Sequence, residues 1–292
     1  MIFVLKGADF SANNLGQVEL RTEINEFTEG IILKSGNTNM TRQQKSALDS
    51  FFRAIGAFGD SSNIWSKIDM LVMPLICSDL EHASVDYTGK HTITRLTESG
   101  YALRNHGITG VSDSPSANCA TVNDVLFEKG NFSLFVMRTE DFTEAAQNSP
   151  YIVAYNGNSG SNRFYAQDRV SSDGQQQFRI DHIKPYSNIA VAVSSGRVPS
   201  LKGILQGVSI DNTGIAHCLS GNEIVTVPYN NYNAIGVDTT PVNTYLYGTP
   251  AGKAPTTSDK AIGMTIYAKY LSDTEMTTLY NAANILASYF LV

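Results

Sequence analysis

The sequence of 292 residues is poor in charge and contains no long apolar run. Charged residues make up 16% of it, against roughly 25% in an average soluble domain. The net charge is -6 and lysine and arginine are not clustered, so the chain lacks the cations that a nucleic-acid partner requires. No segment reaches the roughly 18 consecutive apolar residues that cross a bilayer, so no membrane partner is expected either.

Cysteine is scarce and shows no pairing pattern. The three residues Cys77, Cys119 and Cys218 are far apart, and none belongs to a Cys-x-x-Cys pair. They predict buried, reduced thiols in a protein that folds in cytoplasm. The apolar residues 1–5 are too short for the core of a signal peptide and have no basic residue before them, so no export signal is expected.

Short apolar stretches, separated by glycine, asparagine, aspartate and serine, fill the sequence from residue 80 onward. This spacing is typical of a β-sandwich or a barrel. Residues 262–269 alternate in polarity, which predicts a strand with one core face and one wetter face. Residues 132–137 are apolar on both faces, as in a central strand. The other predicted strands are residues 151–155, 163–167, 177–180, 189–193, 203–210 and 245–247.

Two capping boxes predict helices. Residues 41–44 read Thr-Arg-Gln-Gln and precede apolar residues at helical spacing, which predicts a helix that ends at Gly56 or Gly59. Residues 272–275 read Ser-Asp-Thr-Glu and predict a C-terminal helix. An apolar stripe follows this second box, so the C-terminal helix should pack on the sandwich.

The first 66 residues are predicted to form a smaller unit. Short stretches within residues 1–35, including residues 30–33, are predicted as extended, which gives a small β arm followed by the first helix. Residues 68–77 are rich in Ile, Leu, Val and Met and predict a buried strand that enters the main domain. The predicted division is therefore residues 1–66 and residues 67–292.

Residues 261–282 read Ala-Ile-Gly-Met-Thr-Ile-Tyr-Ala-Lys-Tyr-Leu-Ser-Asp-Thr-Glu-Met-Thr-Thr-Leu-Tyr-Asn-Ala. This segment resembles the closing strand and helix of laminin-G-like and concanavalin-like domains, where an alternating strand runs into Leu-Ser-x-x-Glu and then Leu-Tyr. The resemblance implies a mainly β fold, a concanavalin-like or laminin-G-like jelly-roll β-sandwich with a C-terminal capping helix. Leu271 would then close the core, and Leu279 with Tyr280 would return to the sheet.

Other segments resemble proteins of phage particles. Residues 40–56 and 64–75 are similar to a helix, and to the strand that follows it, in tail and fibre proteins of phages and prophages. Residues 6–13 look like the N-termini of virion proteins from phages of gut Bacteroidota, including the crAss-like group. The resemblance implies a virion structural protein of a tailed bacteriophage, a head or tail fibre or a capsid decoration, made in the host cytoplasm.

This resemblance also implies partners. Residues 1–66 would attach the chain to other virion proteins, such as capsid, tail or fibre subunits, and the sandwich would be displayed for host attachment. A homo-oligomer is expected, with a trimer as one possibility, because an arm of short strands can complete a neighbouring sheet by strand addition.

A group of tyrosines and asparagines is the candidate glycan site. Tyrosine rings stack on sugars, and asparagine amides both donate and accept hydrogen bonds to hydroxyl groups. Ordinary decoration of a β-hairpin by the same residue types is the alternative. The candidate residues are Tyr229, Asn230, Asn231, Tyr232, Tyr245 and Tyr247.

No cofactor is predicted, although calcium at a loop rim is an option. Asp211, Asn212 and Asp238 offer the hard oxygen ligands that calcium takes, and turns closed by their side chains are the alternative. The five histidines show no metal-binding spacing.

The chain is predicted not to be an enzyme. Glu140 and Asp141 are adjacent, and the Glu-x-Asp-x-x-Glu arrangement of sandwich glucanases is missing from the sequence, so the paired carboxylates of a glycosidase are not in evidence. A carbohydrate-binding, lectin-like module is the first alternative to a purely structural virion protein. A polysaccharide-degrading glycosidase is the less favoured alternative.

Overall fold

The structure of the protein is a computed structural model. It describes residues 23–59, 62–94, 100–110, 120–125, 131–140, 149–155, 163–170, 176–184, 187–194, 202–211, 213, 215–220, 223–228, 242–246 and 261–291. Most of the regular structure in these residues is antiparallel sheet, with a few helices, and the predicted mainly β sandwich of the jelly-roll kind is confirmed.

Fourteen strands lie within the described residues. They are β1 (Ile68–Val72), β2 (Tyr101–Arg104), β3 (Gly107–Gly110), β4 (Ala120–Val125), β5 (Phe132–Arg138), β6 (Ser149–Tyr155), β7 (Arg163–Val170), β8 (Gln176–Lys184), β9 (Ser187–Ser194), β10 (Leu205–Ile210), β11 (Ile215–Ser220), β12 (Glu223–Pro228), β13 (Val242–Leu246) and β14 (Ile262–Ala268). One sheet has the order β12-β11-β10-β5-β14-β3-β2, with β1 also paired to β14. The second sheet has the order β4-β13-β6-β7-β8-β9.

The helices are α1 (Glu26–Lys34), α2 (Arg42–Ala54), α3 (Ile64–Lys67) and α4 (Asp273–Ser288). Both predicted capping boxes are present, because the side chains of Thr41 and Ser272 each accept a hydrogen bond from the backbone N–H three residues later. In return, their own backbone N–H groups donate to the side chains of Gln44 and Glu275. No helix of the described residues is long and apolar enough to cross a membrane.

The prediction for residues 30–33 was wrong, because these residues form part of helix α1. Asn25 caps this helix by accepting a hydrogen bond from the backbone of Phe27, and buried Asp49 of α2 accepts bonds from Asn25 and Thr28. The helix therefore depends on a tertiary contact with α2 that local sequence patterns do not reveal. Residues 1–22 lie outside the described residues, so the rest of the predicted arm stays a prediction.

Strand β14 differs from the prediction of one wet face. All seven of its residues are buried, including Thr265 and Tyr267. The strand pairs with β5 along one edge and with β1 and β3 along the other. Its Tyr267 ring packs 6.5 Å from that of Phe132, so the face predicted to be wet is covered as well.

The predicted strand at residues 68–77 is shorter in the structure. Strand β1 ends at Val72, and a 3-10 turn, Pro74–Ile76, follows and packs on β14. Proline lacks the amide donor that a continued ladder would need, which explains the end of the strand.

The hydrophobic core is shared by the sheets and the helices. Phe52 of α2, Phe135 of β5 and Leu286 of α4 are buried in one cluster, together with Val122 and Leu246 from the second sheet. Trp65 packs edge-on against Phe27 and Phe52. The residues of α2 thus pack in the same core as the sandwich, and a boundary at residue 66 stays a prediction.

A buried polar network fixes helix α4 on the first sheet. The Ser209 hydroxyl donates to the carbonyl oxygen of Leu271 at 2.7 Å and accepts from the Leu271 backbone N–H at 2.8 Å. The Asn284 side-chain oxygen accepts from the backbone of Leu205 at 3.0 Å. The predicted packing of the C-terminal helix on the sandwich, with Leu271 in the core, is confirmed.

Two of the three cysteines lie in the described residues, and both are buried and unpaired as predicted. Burial raises the pKa of Cys77 and that of Cys218 to about 12, so both thiols stay protonated. Cys119 lies outside the described residues.

Candidate functional site

The candidate glycan residues are for the most part not described. Tyr229, Asn230, Asn231, Tyr232 and Tyr247 lie outside the described residues. Tyr245 lies in β13, where its backbone pairs with Thr121 and Val153, and nothing further is described of its side chain. A glycan site formed by this group stays a prediction.

Of the candidate calcium ligands, only Asp211 is described. Its Oδ1 accepts hydrogen bonds from the backbone and hydroxyl of Thr213 at 2.8 and 2.7 Å, and from the backbone of Ile215 at 3.2 Å. These bonds close a turn through the Asp211 side chain, which is the structure predicted as the alternative to calcium binding at this residue. Asn212 and Asp238 lie outside the described residues, and the described part of the chain has no group of three or more metal-binding side chains.

Asp211 also belongs to a charged cluster at the start of helix α4. His217 of β11 lies between two carboxylates, with its Nδ1 2.6 Å from Asp273 and its Nε2 3.6 Å from Asp211. Burial alone would raise the pKa of Asp211, but hydrogen bonds from Thr213, Ile215 and His217 hold it below its usual value. The cluster connects the β10–β11 hairpin to α4, so we assign it a structural role.

A polar cleft of about 560 Å³ offers a better candidate site. It lies where the β2–β3 hairpin, the segment after β5 and the end of the C-terminal helix meet. Polar, charged and aromatic side chains converge there, as is common in small-molecule sites. The lining residues are Asn105, His106, Thr139, Glu140, Lys202, Phe290 and Leu291.

The β2–β3 turn presents two of these side chains. Asn105 and His106, its two central residues, have φ angles of 47° and 62°, as in the type I′ turns that favour tight hairpins. Asparagine and histidine both adopt this backbone more often than most other non-glycine residues do. The turn places both side chains at the cleft.

Glu140 is held in a fixed position beside this turn. Its two carboxylate oxygens accept hydrogen bonds from Nε and Nη2 of Arg104, at 3.1 and 2.6 Å, and a third bond comes from the Asn105 amide. The side chain is 14% exposed. A carboxylate held by a bidentate guanidinium keeps lone pairs for further donors without needing to move.

His106 is oriented by the residues below it. Its Nδ1 lies 3.1 Å from the carbonyl oxygen of Leu75, and because a carbonyl only accepts, this nitrogen carries the hydrogen. The ring packs edge-on against Phe290, at 6.0 Å between centroids. Two contacts therefore fix the imidazole, and in the neutral ring the other nitrogen is an acceptor.

Lys202 is the exposed cation of the cleft. Its backbone forms a bridge with Arg138 at the end of β5, where the Gly203 N–H donates to the Arg138 carbonyl at 2.8 Å. The position of the residue is therefore set by the sheet. Within the described residues, no acidic side chain forms an ion pair with its ammonium group.

Sequence reasoning missed this cleft. Its residues come from four separate places in the chain and share no spacing, and in the sequence Glu140 stands out only as half of an adjacent acidic pair. The local signal that could have found it is Asn105-His106-Gly107, which resembles the Asn-Gly of a tight hairpin with one residue inserted.

Comparisons with known proteins support the fold. No family model and no curated protein matches the sequence. A solved structure of botulinum neurotoxin type C, whose cell entry is described as dependent on two ganglioside molecules, matches 76% of this chain and 52% of its own, with a TM-score of 0.52 and 14% identity. This likeness shows a shared β fold.

Two phage structures match less well. The enzymatically active domain of tailspike protein 2 from bacteriophage CBA120 has a TM-score of 0.40 at 14% identity over 65% of this chain. The CBM2 module of the evolved Dit protein of Lactobacillus casei BL23 phage J-1 has a TM-score of 0.36 at 10% identity, over 70% of this chain and 98% of its own. The chain spans 29% of that tailspike domain and 26% of the full-length tailspike.

Proposed function

We propose that this protein is a non-enzymatic glycan-binding sandwich carried on the particle of a tailed bacteriophage. The observation that carries the binding role is the cleft, in which a fixed carboxylate, an amide, an imidazole and an ammonium group converge over Phe290. Sugars present many hydroxyl groups, which both donate and accept, and such a mixed set of donors and acceptors suits them. The neurotoxin that shares the fold is described as depending on two ganglioside molecules for cell entry, and gangliosides carry glycans.

The location on a phage particle is supported by the resemblance of residues 6–13, 40–56 and 64–75 to virion proteins. We propose that the segment before the sandwich contacts other virion proteins and that the cleft is directed outward. An oligomer of this chain would present several clefts, and the combined binding of several weak sites exceeds that of one.

Glycan binding should depend on Glu140. In Glu140→Gln the side chain keeps its shape but loses the charge that bonds to Arg104 and that would accept from sugar hydroxyls. We expect a loss of affinity of about tenfold or more, the range of a charge-assisted hydrogen bond. The measurement is a screen of the purified chain on an array of bacterial surface glycans, followed by calorimetry on the ligand found.

The matched control is Glu223→Gln, the same change on edge strand β12, which should bind as the unchanged chain does. Thermal unfolding of both variants checks that they are folded. The absence of binding to any glycan, or equal binding by the Glu140 variant, would remove the cleft as a glycan site. Release of shorter sugars from a bound polysaccharide would instead make the protein a glycosidase and overturn the non-enzymatic proposal.

The virion location has its own test. We expect an antibody raised against the purified chain to label intact particles of the phage that encodes it, and we expect cryo-electron microscopy of those particles to show density for the sandwich. The segment around α1 and α2 should face other virion proteins. Particles that contain no copy of the chain would exclude the virion role and leave the glycan-binding role standing.

A further inference from the structure

We infer that the cleft prefers acidic sugars, those that carry a carboxylate or a similar anion. This inference rests on the proposed glycan-binding function and names its ligand class. The basis is the distribution of charge over two lining residues, Glu140 and Lys202, and over Arg104, which lies beside the cleft. Arg104 and Glu140 neutralise each other, whereas the charge of Lys202 is not neutralised by any described residue.

The neutralised pair is Arg104 and Glu140. The guanidinium approaches both carboxylate oxygens, so the two opposite charges lie within one hydrogen-bond length of each other. A bound sugar therefore meets Glu140 as an acceptor of hydroxyl hydrogens rather than as a net negative charge. An anionic group elsewhere on the same sugar is not repelled strongly by a carboxylate that is already compensated.

Lys202 supplies the remaining charge. It is exposed, its backbone is fixed on the end of β5, and within the described residues its ammonium group forms no ion pair. The chain as a whole has a net charge of -6, so an uncompensated cation at a cleft is a local exception. A concave site with one uncompensated cation concentrates anions, and because Lys202 is exposed, this attraction weakens as salt is raised.

The lining also suits the rest of an acidic sugar. Asn105 offers an amide at the rim, and His106 offers an imidazole whose orientation is fixed by Leu75 and Phe290. These groups can bind ring hydroxyls while the anion contacts Lys202. A neutral sugar of the same shape can make all of these contacts except the one between the anion and Lys202. The cleft should therefore select a sugar by its charge and not by its overall shape.

The test compares acidic sugars with neutral partners of the same shape. One pair is a hexuronic-acid oligosaccharide and the product of reducing its carboxyl groups, and the other is 3′-sialyllactose and lactose. We expect the unchanged chain to bind the acidic member of at least one pair about fivefold to tenfold more tightly, with the difference shrinking as salt is raised. The pair that shows the preference identifies the source of the carboxylate.

Lys202→Gln should abolish this preference, and Lys202→Arg should keep it. Lys34→Gln removes an equal charge from the exposed end of α1 and should leave the preference intact. Equal binding of acidic and neutral members by the unchanged chain would overturn the inference but leave glycan binding in place. An equal loss in the Lys34 variant would also overturn it, and a chain that binds no sugar at all would refute the proposed function itself.

Discussion

Gly207→Ala is expected to destabilise the protein by about 3 kcal/mol, at the upper end of what overpacking of a core costs. Gly207 lies in β10 opposite Phe135 of β5. A Cβ at this position would lie 2.2 Å from the carbonyl oxygen of Leu134 and 2.8 Å from the Cα of Phe135. Backbone atoms in a central sheet cannot turn aside as a flexible side chain does, so the two strands must separate. Thermal or urea unfolding measures the loss.

Gly30→Ala is the matched control, because nothing lies within 4 Å of the Cβ it would add. The residue is inside helix α1, where alanine is favoured over glycine by about 0.5–1 kcal/mol. The same chemical change should therefore stabilise the protein at one position and destabilise it at the other. Similar changes in stability at the two positions would show that the close approach of β10 and β5 does not cause the destabilisation by Gly207→Ala.

The sequence was most informative where local chemistry decides the structure. Both capping boxes are local, because their donors and acceptors are three residues apart, and both were found where predicted. The mostly apolar strand β5 was predicted to be central, since burial on both faces leaves no regular polar alternation, and all seven of its residues are buried. Predictions of this kind need no knowledge of the partner strands.

Other elements were not recognisable because their stability comes from distant residues. Helix α1 has acidic and polar residues mixed with Ile31 and Ile32, and its start is fixed by Asp49, 24 residues after Asn25. The buried Thr265 and Tyr267 of β14 looked like a wet face, because polarity alone does not show that a second layer covers them. Tertiary contacts override local propensity in both cases.

The candidate site shows the same limit more strongly. The tyrosine and asparagine group was chosen by residue type, whereas the cleft depends on which chain segments meet. The Arg104 and Glu140 side chains are 36 positions apart. Their ion pair exists only because the β2–β3 hairpin and the segment after β5 meet near the start of β14, the strand that lies between β5 and β3. A binding site made from the ends of several strands has no sequence period, so it becomes visible only with the sheet order.

Asp86→Ala is expected to cost about 3–4 kcal/mol, because a single buried carboxylate satisfies five donors. Its oxygens accept from the backbone N–H groups of Leu71, Thr88, Lys90 and His91, at 3.0 to 3.2 Å, and from the Thr88 hydroxyl at 2.6 Å. The residue is 6% exposed. Alanine would leave the Leu71 donor buried without a partner, and each such loss costs about 1–3 kcal/mol.

Urea unfolding measures this loss. The midpoint urea concentration should fall, while the dependence of the unfolding free energy on urea concentration should stay the same. Asp79→Ala is the control, since this carboxylate also accepts three hydrogen bonds, from Ser78 and His82, but its side chain is 49% exposed. Water replaces the carboxylate there, so the control should lose less than about 1 kcal/mol of stability.

The stability loss of Asp86→Asn should fall between those of the two alanine variants, because an amide keeps one acceptor but turns an N–H₂ group toward other donors. A loss for Asp86→Ala as small as that of the control would mean that the five hydrogen bonds to Asp86 do not stabilise the fold as proposed.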